Sequence, residues 1–239
     1  MKFERTEVWG FEHAIRGMRN PMNSWDKSDS DWEFVEDPSI INPNDQVLFV
    51  MGDNDLALAQ KLIRAGSEHR KFMRQIFVSV DITAPLYWWK EFDTYKVGTV
   101  ANSTSTMHKL ASTPITKECF EMDDYESIIV EKGEFVYEVD SVWYELIKTL
   151  EDMRQVYNST RSEDVWKELI RLLPESWLQK RTVTMNYENL LAMCSRGQRR
   201  FHKLNEWSGM YNHTKTNFIS WARTLPYAQE LIFIDEEEE

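Results

Sequence analysis

Ile76-Phe77-Val78-Ser79-Val80-Asp81-Ile82-Thr83-Ala84-Pro85-Leu86-Tyr87-Trp88-Trp89-Lys90-Glu91-Phe92 is the stretch that decides the fold class. Ile76, Val78, Val80 and Ile82 alternate with Phe77, Ser79 and Asp81, the period of two that gives a strand one wholly apolar face. Pro85 suits the first turn of a helix, where its missing N–H costs no hydrogen bond, so Leu86 to Phe92 is expected to continue as helix. Tyr87-Trp88-Trp89 reads as core packing, with a ring-stacking platform as the alternative.

Beyond this strand–helix unit, Thr94 to Met107 is rich in Thr, Ser, Asn and Gly with little apolar spacing and reads as a loop. A loop of that length inside a compact domain is more often functional than idle. Ser127–Val130 and Phe135–Val139, bridged by Glu131-Lys132-Gly133-Glu134, read as a hairpin, with helix as the alternative. Val142, Leu146, Ile147, Leu150, Met153 and Val156 then recur at helical spacing and predict a long amphipathic helix from Ser141 that stops near Asn158. Ser162 caps a further helix, Val165 to Leu173, ended by Pro174. Thr182 to Gln198 is expected to be helical, as is Glu206 to Thr224, interrupted at Gly209.

Toward the N-terminus, Val8 to Asn20 predicts a short helix before Pro21, and residues 23–45 read as a loop. Val47-Leu48-Phe49-Val50-Met51 is a short apolar run. Asp53 or Asn54 is expected to cap a helix from Asp55 to Ala65, with Gly66 at its end. These elements define an α+β chain, a mixed sheet with flanking helices and long C-terminal helices, in a single domain over residues 1–239.

The 239 residues hold 42% hydrophobic and 13% aromatic residues, ten Trp among them, which excludes a disordered or fibrous chain. Net charge is −12; the tail Asp235–Glu239 carries five of the acidic charges, so the body stands at −7. No nucleic-acid or membrane-surface partner is expected without a basic face. The tail reads as a solvated segment. Cys119 and Cys194 stand 75 positions apart with no CxxC or Cys/His spacing, so neither a disulfide framework nor a zinc site is indicated, and a cytoplasmic protein is expected. The sequence has no apolar stretch of membrane-spanning length and no apolar leader after Met1.

There is no GxGxxG, GxxxxGK[ST], GxSxG or HExxH. His13, His69, His108, His202 and His213 lack metal-ligand spacing and suit packing or surface roles. Lys180-Arg181 and Arg196, Arg199, Arg200, His202 and Lys203 form local basic clusters. The arginine fork suits a nucleotide phosphate, and a solvated helix end is the equal alternative.

The order of these features resembles the flavin-dependent thymidylate synthases, over about residues 50–226. In that family a strand and a helix precede RHRxxSxNxxSxR. His69 stands sixteen residues before Pro85, as a His does in some members. Without a gap, RHR falls on Thr94-Tyr95-Lys96, the first Ser on Thr99, the Asn on Ala101, the second Ser on Thr104 and the last Arg on Thr106. A one-residue slip gives Asn102, Ser105 and Met107 instead. Further on, the family's Leu-Pro step, its Thr-x-Asn twelve residues after that Pro, and a Leu four further on match Leu173-Pro174, Thr184-Met185-Asn186 and Leu190. A family Arg before the Leu-Pro falls on Ile170, with Arg171 next to it, and a later one falls near Arg196 or Arg199.

The resemblance implies a homotetramer that binds FAD and dUMP. It implies transfer of a one-carbon unit from methylenetetrahydrofolate to C5 of dUMP or a related pyrimidine nucleotide, with the flavin carrying the chemistry. It places His69, Tyr95, Lys96 and Asn186 at the cofactor, and Glu91, Thr99, Thr104, Ser105, Arg171, Arg196 and Arg199 at the substrate. The change from RHR to Thr-Tyr-Lys leaves Lys96 as the only cation of that triplet. A nucleotide-binding or assembly protein that keeps the scaffold without the flavin is the alternative function, and a helical partner-binding protein a third.

Overall fold

The computed structural model describes residues 1–34, 47–122, 129–133, 135–199, 202–208 and 216–234. Its elements run β1 (Lys2–Trp9), α1 (Phe11–Arg19), β2 (Asp31–Phe34), β3 (Val47–Val50), α2 (Asp53–Arg64), β4 (Phe77–Pro85), α3 (Leu86–Phe92), β5 (Val100–Ser103) and α4 (Thr106–Lys109). There follow β6 (Ile129–Lys132), β7 (Phe135–Glu138), α5 (Val139–Thr160), α6 (Glu163–Leu172), β8 (Leu178–Asn186), α7 (Tyr187–Cys194), α8 (Arg196–Arg199), α9 (Asn205–Ser208), α10 (Phe218–Ala222) and α11 (Ala228–Leu231). Four strands form a sheet of order β1-β4-β8-β5, and β2 with β3 and β6 with β7 form two antiparallel hairpins. The α+β class expected from the strand–helix unit is the observed one.

Most elements fall where their periodicity puts them. On β4, Val78, Val80 and Ile82 are fully buried, and Trp88, Trp89 and Phe92 bury the face of α3 that follows. The Ser162 hydroxyl accepts from the Val165 N–H at 3.4 Å and starts α6. Four expectations are corrected, the first being the 23–45 loop, within which Asp31–Phe34 is strand because it pairs antiparallel with Val47–Val50. Thr182–Gln198 is not one helix, because the first part belongs to β8: Val183 and Met185 are buried in alternation with Thr182 and Thr184, and β-branched residues favour the pleated surface. The polar stretch after α3 is not all loop, since Val100–Ser103 joins the sheet as β5 and Thr106–Lys109 forms α4. The first helix starts at Phe11 rather than Val8, because Gly10 turns the chain at φ +102° and Lys2–Trp9 is strand. The predicted helix Glu206–Thr224 resolves into α9 and α10; Gly209 lies outside the described residues, as do the latter part of the 23–45 loop, Ser127-Ile128 and the acidic tail.

The chain divides into two compact units. One comprises Phe3–Val80, Tyr95–Val100 and Val183–Glu239. Its interior is aromatic: His202 stacks on Trp207 at 4.3 Å between ring centroids, and Trp207 meets Phe218 edge-on at 5.0 Å. The same unit holds a buried ion pair between Arg19 and Asp55. Asp55 also accepts hydrogen bonds from the Ser28 and Ser30 hydroxyls and from two backbone N–H groups. Burial pushes this carboxyl up, but the hydroxyls of Ser30 and Ser28 and the Arg19 guanidinium outweigh it and hold it below its usual range. The N-terminus of α2 is capped from a distance. Asp29 accepts from the Asn54 N–H at 2.9 Å and the Asp55 N–H at 3.1 Å, in place of the local cap expected from Asp53 or Asn54.

The second unit comprises Met1–Lys2, Asp81–Thr94 and Ala101–Thr182. It packs Leu110, Ile115, Phe120, Leu150 and Leu169 between α5, α6 and the segment after α4. Glu151 on α5 ties that segment down. Its carboxylate accepts from the Ile115 N–H at 2.8 Å and is gripped by both arms of Arg154, which in turn donates to the Ala111 carbonyl at 3.0 Å.

Candidate functional site

In the first unit the sequence from Tyr95 to Thr99 is folded against the start of α7. Asn186 and Asn189 form a reciprocal cap: each side-chain oxygen accepts from the other residue's backbone N–H, at 3.0 and 3.1 Å. The Asn189 amide then donates to the Val97 carbonyl at 2.7 Å. Gly98 follows at φ +81°, and a Cβ there would lie 3.3 Å from Asn186 Nδ2. The positive φ favours glycine, and a side chain there would also have to displace the Asn186 amide by a few tenths of an ångström.

The cap takes up Asn186 Oδ1, one of the polar atoms that the resemblance sends to the cofactor. Asn186 is buried and its side chain is occupied by the cap. The Tyr95 ring packs toward Trp207 at 6.0 Å and His202 at 6.2 Å. The Thr99 hydroxyl donates to the Lys96 carbonyl at 3.1 Å. Lys96 is exposed, and so is His69, whose N–H bonds the Gly66 carbonyl at 3.0 Å as the following short helix begins. Glu188, in the first turn of α7, is paired with Arg74 and Arg70. Burial pushes its carboxyl up, and the two guanidiniums, Arg74 foremost, bring it below its usual value. Arg196 is exposed at the start of α8, and the Arg199 side chain lies outside what is described.

In the second unit Thr94, the first residue of the RHR alignment, spends its hydroxyl on the Glu91 carbonyl at 2.7 Å, closing α3. Glu91 is partly buried on that helix. Arg171 is paired with Glu168 on α6. Lys180 bonds Asp81 at 3.2 Å, and Arg181 lies 4.2 Å over the Trp89 ring while its guanidinium donates to Asp93 at 2.8 Å, so this basic pair holds the fold together.

Thr104 and Ser105 are placed differently. With Thr106, Lys109, Thr113 and Cys119 they line a cavity of about 200 Å³. The Thr104 backbone is fixed to β8: its N–H donates to the Lys180 carbonyl at 2.8 Å and its carbonyl accepts from Gln179 Nε2 at 3.1 Å. The Lys109 N–H donates to the Ser105 carbonyl at 3.0 Å, so one helical turn sets the lysine on the same cavity as the hydroxyls. Three successive hydroxyls and an ammonium are donors suited to an anionic oxygen cluster. Lys109 and Cys119 were not singled out by the sequence; the spacing of Lys109, four after Ser105, is the signal that finds it once a helix is assigned there.

The fold with these features is that of the flavin-dependent thymidylate synthases. Similar solved structures include the flavin-dependent thymidylate synthase ThyX of Helicobacter pylori complexed with FAD and dUMP, with a TM-score of 0.57 at 13% identity over 98% of this chain and 99% of that chain. A second structure of the H. pylori protein with FAD and dUMP gives 0.55 at 12% identity over 98% and 97%. A UMP/dUMP methylase, PolB from Streptomyces cacaoi, bound with 5-Br dUMP, gives 0.53 at 13% identity over 98% and 94%. No protein-family model and no curated protein matches the chain. Among the described residues no helix is long and apolar enough to cross a membrane.

The residues aligned with RHR do not fit a cationic cradle for FAD. The Thr94 hydroxyl is spent on a backbone carbonyl, Tyr95 is packed on Trp207, and Lys96 is left as a single point charge without the arginine fork.

Proposed function

We propose that the chain binds a pyrimidine nucleotide of the dUMP class through its phosphate, with Thr104, Ser105, Thr106 and Lys109 as the donors. The observation that carries this reading is the cavity these four residues line, at the positions where the resemblance expects the nucleotide loop. The fold supports it, since the neighbours in this fold were solved with dUMP or 5-Br dUMP. Hydroxyls and a lysine supply the hydrogen bonds and the charge that the family's last motif arginine would give, without its planar fork. A homotetramer is part of the same proposal.

One-carbon transfer to C5 of the nucleotide, with FAD and methylenetetrahydrofolate, is the fuller reading, and the Thr94-Tyr95-Lys96 triplet favours a nucleotide-binding protein over it. Calorimetric titration with dUMP, UMP and inorganic phosphate tests the first reading. Saturable binding of dUMP, competed by phosphate, is expected, and no heat with any of the three overturns it. The visible spectrum of the purified protein after incubation with FAD separates the two: a retained flavin band restores the enzyme reading, and a colourless protein that binds dUMP supports the binding protein.

A further inference from the structure

Independently of the nucleotide reading, a second and larger cavity of about 690 Å³ opens in the first unit, walled by the rings of Trp9, Phe11, Trp32, Phe49 and Tyr227. We propose that it is a binding site for a small planar heteroaromatic compound carrying positive charge on amino groups, held between the rings with Glu12 facing its cationic edge.

The walls are set before any ligand arrives. Trp9 stacks on Phe77 with centroids 5.8 Å apart. Phe11, buried at the floor, lies parallel to Phe49 at 6.5 Å and edge-on to Tyr227 at 5.4 Å, and Trp32 meets Phe49 edge-on at 5.6 Å. Tyr227 sits at φ +54°, an uncommon conformation for a non-glycine residue. Its hydroxyl fixes it there, accepting from the Met51 N–H at 2.8 Å and donating to the Phe49 carbonyl at 3.4 Å. The Trp32 indole N–H donates to Glu12 Oε2 at 3.2 Å, which holds the ring and the carboxylate together at the rim. Gly10 makes the approach possible. At φ +102°, with the Gln75 carbonyl oxygen 2.1 Å from where a Cβ would be, it turns β1 into α1 so that Glu12 and His13 both line the mouth.

Trp9 and Trp32 remain 43% and 52% exposed, although each already has a ring neighbour. Large rings left half open around a concave site are what a flat ligand covers. Ring faces attract cations, and Glu12 adds a full negative charge in a chain of net charge −12, so a cationic ring is preferred over an anionic one of the same size.

Proflavine, a planar diamino cation, and 2-naphthalenesulfonate, a planar anion, are suitable probes, read by fluorescence anisotropy on the full chain. Saturable binding of proflavine is expected, with the sulfonate bound more weakly. Trp32→Ala should weaken proflavine about tenfold, and Glu12→Gln, an exposed and isosteric change, about threefold. Thermal unfolding checks that each variant folds, and Trp32→Phe, which keeps a ring, should retain most of the affinity. Equal affinity for the two probes, or proflavine binding indifferent to both Glu12→Gln and Trp32→Ala, overturns the proposal. So does a Trp32→Ala variant that changes the sedimentation coefficient, which would make this face a contact between copies.

Discussion

The segment that follows α3 contains two polar stretches of similar composition and opposite fate. In Tyr95–Thr99 polar groups are bonded locally and to α7: Thr99 bonds Lys96, the Val97 carbonyl is taken by Asn189, and Gly98 lies close to Asn186. In Thr104–Lys109 the backbone is bonded to β8 and within its own turn, and Thr104, Ser105, Thr106 and Lys109 line a cavity. Polar composition alone therefore does not mark a ligand site. What distinguishes the second stretch is that its backbone is bonded to β8 and within its own turn while its residues border a cavity.

Breaking the first stretch should give the largest effect, and the effect should be on stability. Gly98→Val places a β-branched residue at φ +81° with its Cβ against the Asn186 amide, and should cost about 2–3 kcal/mol in urea unfolding. A variant as stable as the parent would show that the loop is not held by the asparagine pair. A smaller loss is expected from Glu151→Gln, which loosens the wall of the cavity by removing the charge that grips Arg154. Arg154 above all, with Gln155 and the Ile115 N–H, outweighs partial burial and brings the Glu151 carboxyl down to about 2. A carboxyl depressed in the folded state stabilises above its ordinary value of 4.5 and loses that contribution as pH falls from there toward 2. The parent should therefore exceed the variant by about 1–2 kcal/mol at neutral pH, after allowance for solvent screening of a partly exposed pair. The gap should close as the pH approaches 2, and a gap independent of pH would place the effect in packing rather than in the charge.

The parts of this contrast that the sequence disclosed are those written in periodicity. β4, α3, α5 and α6 each bury a regular apolar face, and their order was readable before any coordinates. The boundary between β8 and α7 was hidden because Val183, Met185, Leu190 and Met193 satisfy a helical spacing as well as a strand followed by a helix. The Asn186–Asn189 cap, which separates the two, pairs two asparagines where the familiar pattern has Ser or Thr with Glu. β5 was hidden for a different reason: Val100-Ala101-Asn102-Ser103 has exposed side chains throughout and is strand through its place at the sheet edge, a tertiary effect with no hydrophobic signature. The site was less legible than the fold. Alignment to a motif pointed to the segment after α3, yet which of its hydroxyls is already bonded, as that of Thr99 is to the Lys96 carbonyl, is decided only in the folded chain.

The sharpest test of the contrast lies in two lysines thirteen positions apart, because both are exposed and neither anchors the core. Replacing either by Ala should change stability by no more than about 0.5 kcal/mol, the usual range for surface substitutions. For binding they should differ. Lys109 shares its cavity with three hydroxyls, so a phosphate there would exchange one charge-assisted bond for nothing in Lys109→Ala, and dUMP affinity should fall about tenfold or more. Lys96 stands beside groups already bonded to one another, so Lys96→Ala should move dUMP affinity by less than about twofold, the scale of a screened surface charge. Titration of the two variants at one ionic strength makes the comparison. If Lys96→Ala carries the loss and Lys109→Ala does not, the anion lies on the stretch where the structure shows the polar groups already paired, and the assignment of the nucleotide to the Thr104–Lys109 cavity fails, whichever nucleotide is bound.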